Sequence, residues 1–365
     1  MHFGLFNLMT QRDPKKAPRQ IYAETVEHVR LAESIGFEIA WFAEHHFSNY
    51  CLCPSPLTML TYMAAKTERI KLAPGVIVAP LYDKIRMLED IAVADNLSDG
   101  RLVLGFGSGY QEYEFHKFGV DLKQGRNIFL ETLDLVERFL ASEPFGYQGK
   151  HVTVTDTYSR VRPLQKNMPI YIAGLLNDPE TQRRIARKGY VPFFTTGWSS
   201  IEQIKQSRDK LAEYYAEAGG DPAKTPFAMQ QYIFVTDDRN EALQAAEGAR
   251  YIRRVAASMR HRYGEVDGGF LKEIPASDEP PLEEIAERMI IGSPATIVDK
   301  LSKEFEALRP THMSCFMSIP GIAQARTLKS MERFGAEVMP QLSRQLGPLD
   351  RIGAPEPSRA SLVAD

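Results

Sequence analysis

Eight short runs rich in β-branched and aromatic residues recur along the chain, at residues 2–7, 39–43, 70–78, 102–107, 169–173, 191–195, 227–235 and 312–317. Longer segments with helical spacing lie between them. Neighbouring parallel strands need a long crossover, and an intervening helix supplies it, so this alternation predicts repeated βα units around a parallel sheet. Eight such strands favour a closed barrel, whose working face is built by the loops after the strands. In the segment 127–141, Phe129, Leu133, Val136 and Leu140 recur at steps of four, three and four and predict one apolar helix face. Residues 20–35 repeat the pattern with Tyr22, Val26, Val29 and Ala32, then stop at Gly36, a C-terminal capping signal.

Two stretches break the rhythm. Residues 143–168 contain Pro144, Gly146, Gly149 and the alternating His151, Val152, Thr153 and Val154, which predicts a hairpin-like excursion before the fifth strand. Residues 258–282 contain Gly264, Gly268, Gly269, Pro275, Pro280 and Pro281, which predicts a long irregular insertion loop after the seventh strand and its helix, acting as a mobile lid. The barrel domain is expected to occupy residues 1–340. Residues 341–365 are expected to form a C-terminal extension, partly disordered because the part from Gly347 onward is rich in Pro, Ala, Gly and Ser.

Composition narrows the function. The 44 Lys plus Arg against 47 Asp plus Glu leave a net charge of -3 with no basic stripe, which argues against nucleic acid or an anionic membrane as partner. Cys51, Cys53 and Cys315 read as reduced thiols of a cytoplasmic protein. A zinc site at Cys51 and Cys53 lacks a second ligand pair, so no metal is expected. Met1 runs straight into apolar residues without the pattern of a signal peptide, and no uncharged apolar run approaches the roughly 20 residues that span a bilayer.

The chemistry gathers at the predicted strand ends. The second run, Trp41-Phe42-Ala43, ends abruptly in Glu44, His45 and His46, which places titratable groups at the active face of a barrel. Adjacent residues of an extended segment point in opposite directions, so one histidine at most can face a substrate, and each could equally be a structural, hydrogen-bonded residue. After the fourth run come Gly105, Gly107 and Gly109, but Tyr110 stands where a dinucleotide fingerprint needs its third glycine, and the acidic Glu112 and Glu114 would repel a pyrophosphate. Glycines there suit close backbone approach to a flat ring system. After the fifth run, residues 174–177 lead into Asp178 and Pro179, a helix start that could bind phosphate or serve as an ordinary connection. Phe6, Tyr110, Trp198 and residues 313–317 suggest an apolar substrate pocket.

These motifs, taken in order, resemble the bacterial luciferase-like flavin-dependent monooxygenases, in their alkanal monooxygenase-like branch. The resemblance rests on His2-Phe3-Gly4-Leu5-Phe6, residues 41–47, Leu97-Ser98-Asp99-Gly100-Arg101, Phe115-x-x-Phe118-Gly119 and Ile291-Gly292-Ser293-Pro294. It implies an α/β fold, a (β/α)8 TIM barrel, that binds FMN as FMNH2 at its C-terminal face and takes O2 as co-substrate. It further implies a separate NAD(P)H:flavin reductase that supplies FMNH2, oxygen activation as a flavin C4a-peroxide, a small-molecule substrate, and a homodimer paired through helices within 57–66 and 85–94.

By the same resemblance His45 is the catalytic group that moves a proton, His46 its structural neighbour, and Glu44 lies close to the flavin. Gly75 and Val76 match a non-prolyl cis peptide beneath the isoalloxazine ring, while Gly107, Ser108 and Tyr110 match the loop along it. Arg126 matches an arginine near the phosphate, and Gly174, Leu175, Leu176 and Asn177 match the phosphate-binding turn. Two departures stand out. Ser108 replaces an arginine common among relatives, and Gly107 takes the place of the reactive cysteine of bacterial luciferase, so light emission is not implied. The competing readings are hydride transfer with the deazaflavin coenzyme F420 and flavin binding without turnover. A metal-dependent barrel hydrolase is a weaker reading, since no His-x-His lies on the first strand.

Overall fold

Continuous apolar runs are what strands buried on both faces require, and each run becomes a strand. The computed structural model describes residues 1–353 apart from 142, 176–177, 198, 261–265, 276 and 278. The barrel strands are β1 (His2–Asn7), β2 (Ile39–Phe42), β3 in two pieces (Lys71–Pro74 and Ile77–Val78), β4 (Leu104–Gly107), β5 (Ile170–Ala173), β6 (Val191–Gly197), β7 (Ala228–Val235) and β8 (His312–Phe316). All pair in parallel in the order β3-β2-β1-β8-β7-β6-β5-β4. The ring closes through β3, whose first piece pairs with β2 and whose second pairs with β4, with a further bridge from Leu72 to Leu102. The expected TIM barrel is therefore present.

The lower part of the barrel is filled. Trp41 is 1 % exposed, packs edge-on against Tyr171 with centroids 5.0 Å apart, and donates its indole N–H to His312 Nε2 at 2.8 Å. Burial holds the His312 ring neutral, its pKa lowered to about 3, which lets that nitrogen accept. A Cβ on Gly105 would sit 2.1 Å from the Pro74 carbonyl oxygen, so only glycine admits this approach of two strands. A ligand can enter only above this layer.

The helix Gly125–Ala141 buries Phe129, Leu133 and Val136 as the spacing predicts, while Leu140 is half-buried. The helix Pro18–Ser34 buries Ile21, Thr25, His28, Val29 and Ala32, a face turned slightly from the expected stripe, so Tyr22 and Val26 sit at its margin. The excursion before β5 is the antiparallel hairpin of Phe145–Gln148 with Thr153–Thr157. Its turn is tied down by the Glu131 carboxylate, which accepts the backbone N–H groups of Lys150, His151 and Val152.

The insertion after β7 differs from the irregular loop expected over 258–282. Its first residues belong to the helix Arg239–Arg260, and Val266–Asp267 pairs with Phe270–Leu271 in a small hairpin. Asn49 docks that hairpin on the barrel: its N–H donates to Gly269 O at 2.8 Å and its side-chain oxygen accepts from Leu271 N at 2.9 Å. Arg254 adds ion pairs to Glu273 and Glu279. The glycines that suggested irregularity make the hairpin turn, with Gly268 and Gly269 at φ +54° and +86°.

The helix Met339–Leu346 runs across residue 340 with Leu342 buried, and the N-terminal ammonium donates to Leu349 O and Ile352 O, so the chain remains packed on the barrel past that point. Residues 354–365 lie outside the described residues. Cys51, Cys53 and Cys315 are free and buried. Among the described residues no helix is long and apolar enough to cross a membrane.

One buried carboxyl makes stability depend on pH. Glu304, on the helix Pro294–Leu308, accepts from Gln231 Nε2 at 2.8 Å, while its Oε2 meets no donor among the described residues. Burial pushes its pKa up to about 8. Between its ordinary value of about 4.3 and that value, the folded chain keeps a proton that the unfolded chain releases. The resulting stabilisation is complete below the lower value and is lost as pH rises, by about 1.4 kcal/mol per pH unit within the window. Denaturation at pH 6 and pH 9 should show wild type losing more stability than Glu304→Gln over that interval; equal losses would refute the assignment.

Candidate active site

The loop leaving β2 carries the chain from the filled barrel interior to its open upper face. There the strand ends enclose a cavity of about 510 Å³. Of the expected residues, Phe6, Glu44, His45, Gly75 and Val76 line it, as do Gly107, Ser108, Tyr110, Gly174 and Leu175.

His45 and His46 part as their alternation requires. The His45 Nδ1 lies 2.9 Å from Glu114 Oε1, an oxygen that also accepts the His46 backbone N–H at 2.8 Å. Glu114 comes from the helix Glu112–Phe118 and is 2 % exposed. The His45 ring stands edge-on to Tyr50 and Tyr110, with centroids 4.7 and 5.9 Å away. The His46 ring turns away from the cavity, packs edge-on against Phe118 and sets its Nε2 3.1 Å from Glu44 Oε1. Glu44 Oε2 accepts from Val78 N at 3.2 Å and from the Tyr82 hydroxyl at 2.8 Å. Complete burial nevertheless raises the Glu44 pKa above the usual carboxylate range. Glu44 thus joins His46 to the second piece of β3 and shapes the cavity from beneath.

Glycines at 75 and 107 keep two of the lining positions free of side chains. The Gly75–Val76 peptide is cis, as the resemblance implies. A Cβ on Gly107 would come within 2.7 Å of Val76 Cγ2, so glycine is what lets β4 lie against that peptide. Gly75 rests above Trp41, which joins the floor to the packed layer below. At the far end Gly174 and Leu175 both adopt left-handed backbone, with φ +79° and +56°, and a Cβ on Gly174 would face open space. The walls are aromatic: Phe316 stacks on Tyr232 with centroids 4.8 Å apart and meets the edge of Phe6.

Arg126 is expected near a phosphate. Its guanidinium pairs with Asp178 and Glu180, both at 2.6 Å, at the start of the helix Pro179–Lys188, and it does not line the cavity. Two carboxylates already balance its charge. Leu176, Asn177 and Trp198 lie outside the described residues. Sequence reasoning missed Tyr50, Gln230, Tyr232 and Arg260, which line the cavity, and Glu114, which holds His45. Only Glu114 had left a trace, in the acidic stretch after Tyr110.

A cavity of this size suits a cofactor or a small ligand. The glycine floor and aromatic walls fit a planar ring, with the Gly174 turn and the Ser108 hydroxyl at hand for its polar tail. The sequence profile of the luciferase-like monooxygenases matches residues 1–312. The chain belongs to that family. This luciferase-like monooxygenase is 32 % identical over 349 residues to an uncharacterized protein of Sinorhizobium fredii, covering 95 % of this chain and 99 % of the relative. It is 24 % identical over 354 residues to the oxygenase component of the flavin-dependent trigonelline monooxygenase of Acinetobacter baylyi, covering 94 % and 96 % of the two chains.

Its fold is shared by the oxygenating constituent of 3,6-diketocamphane monooxygenase from Pseudomonas putida, a type II Baeyer-Villiger monooxygenase solved with FMN. The TM-score is 0.78 at 21 % identity, over 94 % of this chain and 98 % of that one. The coenzyme F420 dependent tetrahydromethanopterin reductase of Methanopyrus kandleri gives a TM-score of 0.68 at 20 % identity, over 93 % and 99 %.

Proposed function

We propose that this flavin-dependent monooxygenase takes FMNH2 from a separate NAD(P)H:flavin reductase and oxygenates a small organic substrate with O2. The observation that carries this reading is His45, fixed by a buried carboxylate at the edge of a glycine-lined cavity. When bound, the reduced flavin supplies the electrons that activate O2.

The remaining chemistry belongs to the chain. The Gly75–Val76 peptide and Gly107 would hold the ring, and Ser108 with the backbone of Gly174 and Leu175 would hold the phosphate. Because Arg126 is already paired with Asp178 and Glu180, the phosphate grip would rely on N–H and hydroxyl donors in place of a free guanidinium. With Glu114 accepting a hydrogen bond from His45 Nδ1–H, Nε2, which has no protein hydrogen bond among the described residues, would remain available to carry a proton at the cavity. The aromatic walls, Phe6, Tyr232 and Phe316, would limit the access of water to the reacting atoms. Two copies pairing through the helices Pro56–Ala64 and Lys84–Leu97 would cover the exposed Tyr62, Val93 and Leu97.

Coenzyme F420 is the alternative cofactor, favoured by the fold shared with the Methanopyrus kandleri reductase. Fluorescence titration with both cofactors, followed by oxygen uptake with FMNH2 against aldehydes, ketones, amines and thioethers, tests the two readings. FMN binding and oxygenated product are expected; product formed with coenzyme F420 and not with FMN would overturn the proposal.

A further inference from the structure

Among the described residues the cavity has one cationic side chain that the mechanism above does not use. Arg260, the last residue of the helix Arg239–Arg260, lines the cavity with its guanidinium 4.7 Å from the centroid of the Tyr110 ring. Tyr110 in turn lies 5.9 Å from His45, centroid to centroid, so Arg260 stands at the His45 end of the cavity, one aromatic ring away from the proton carrier. The carboxylate and the imidazole lining this end already have partners: Glu44 is held by His46, Val78 and Tyr82, and His45 by Glu114. Among the described residues no carboxylate forms an ion pair with Arg260.

A guanidinium held near an aromatic face by cation–π attraction spends no N–H group on a hydrogen-bond acceptor there, so its fork of donors stays available to a carboxylate. The aromatic walls, Phe6, Tyr232 and Phe316, complement an apolar body. We infer that the substrate is a small organic anion, with a carboxylate gripped by Arg260 and an apolar, planar portion that presents its reacting position to His45. This rests on the oxygenase reading of the cavity and adds the substrate class to it. It also gives Tyr110 a role, as the platform that presents the guanidinium.

The test uses the full-length protein and matched pairs of acid and neutral amide: benzoate, cinnamate, indole-3-acetate and decanoate against their amides. Dissociation constants are measured by calorimetry, with and without FMN. At least one acid should bind about tenfold or more tighter than its amide, a preference of about 1.4 kcal/mol. Arg260→Gln should abolish that preference while leaving the FMN dissociation constant within about twofold, and Arg260→Lys should restore part of it because the charge remains without the fork. Arg260 is exposed, so both variants should fold, which their melting curves check. If no acid is preferred over its amide, or if Arg260→Gln weakens FMN and spares the acids, the inference is overturned and the oxygenase reading stands. If the protein binds no flavin, the oxygenase reading falls, while the acid preference of the flavin-free protein still decides the role of Arg260.

Discussion

His45→Ala is expected to lower oxygenated product by about 10²–10⁴-fold, the usual worth of a positioned proton carrier. FMN binding should hold nearly constant, because the ring and phosphate would rest on backbone at Gly75, Val76, Gly107, Gly174 and Leu175 and not on the imidazole. Single-turnover product yield with FMNH2 measures the first quantity and flavin fluorescence the second. Glu114→Ala should fall between wild type and His45→Ala, since it leaves the imidazole in place and removes the 2.9 Å contact that fixes its orientation and tautomer. Unchanged turnover in His45→Ala would remove His45 from the mechanism.

Trp41→Ala is expected to destabilise the fold by about 3–5 kcal/mol, the range for emptying a large aromatic site in a core. Three consequences combine there. The indole volume between Tyr171 and Phe193 is lost, the His312 Nε2 loses its donor at 2.8 Å, and Gly75 loses what it rests on. Trp41→Phe keeps much of the volume and removes only the donor, so its cost should be nearer the 1–3 kcal/mol of one unpaired buried polar group. Chemical denaturation of the two variants separates packing from hydrogen bonding. A Trp41→Ala protein as stable as wild type would show that the barrel closes around some other centre.

The strands could be read from sequence because a parallel sheet covered on both faces needs unbroken apolar runs, and 191–195, 227–235 and 312–317 leave little else to become. The site was readable where it is made of strand ends. His45, the Gly75–Val76 peptide and Gly107 all sit at such ends, and all line the cavity. Residues from other elements left weaker signals. Glu114 reaches His45 across 69 residues from the buried side of a short helix, and the sequence alone cannot state that helix's rotation. Arg260 is one of several arginines on a long helix until its guanidinium is seen to lie over Tyr110. Arg126 carries a related lesson. Its position among the motifs suggests a phosphate nearby, and the fold adds ion pairs to Asp178 and Glu180 that its spacing does not reveal. Ion pairing between distant segments is the information that residue spacing does not carry.

The divided third strand has a wider consequence. The barrel's circle is joined where β3 hands its pairing from β2 to β4, and the handover falls at Gly75 and Val76, the same residues that floor the cavity. Whatever occupies that cavity therefore lies across the join of the sheet and touches both sides of it. Ligand affinity and the integrity of the ring then draw on the same free energy: loosening the join weakens the grip, and filling the cavity fastens the barrel like a clasp.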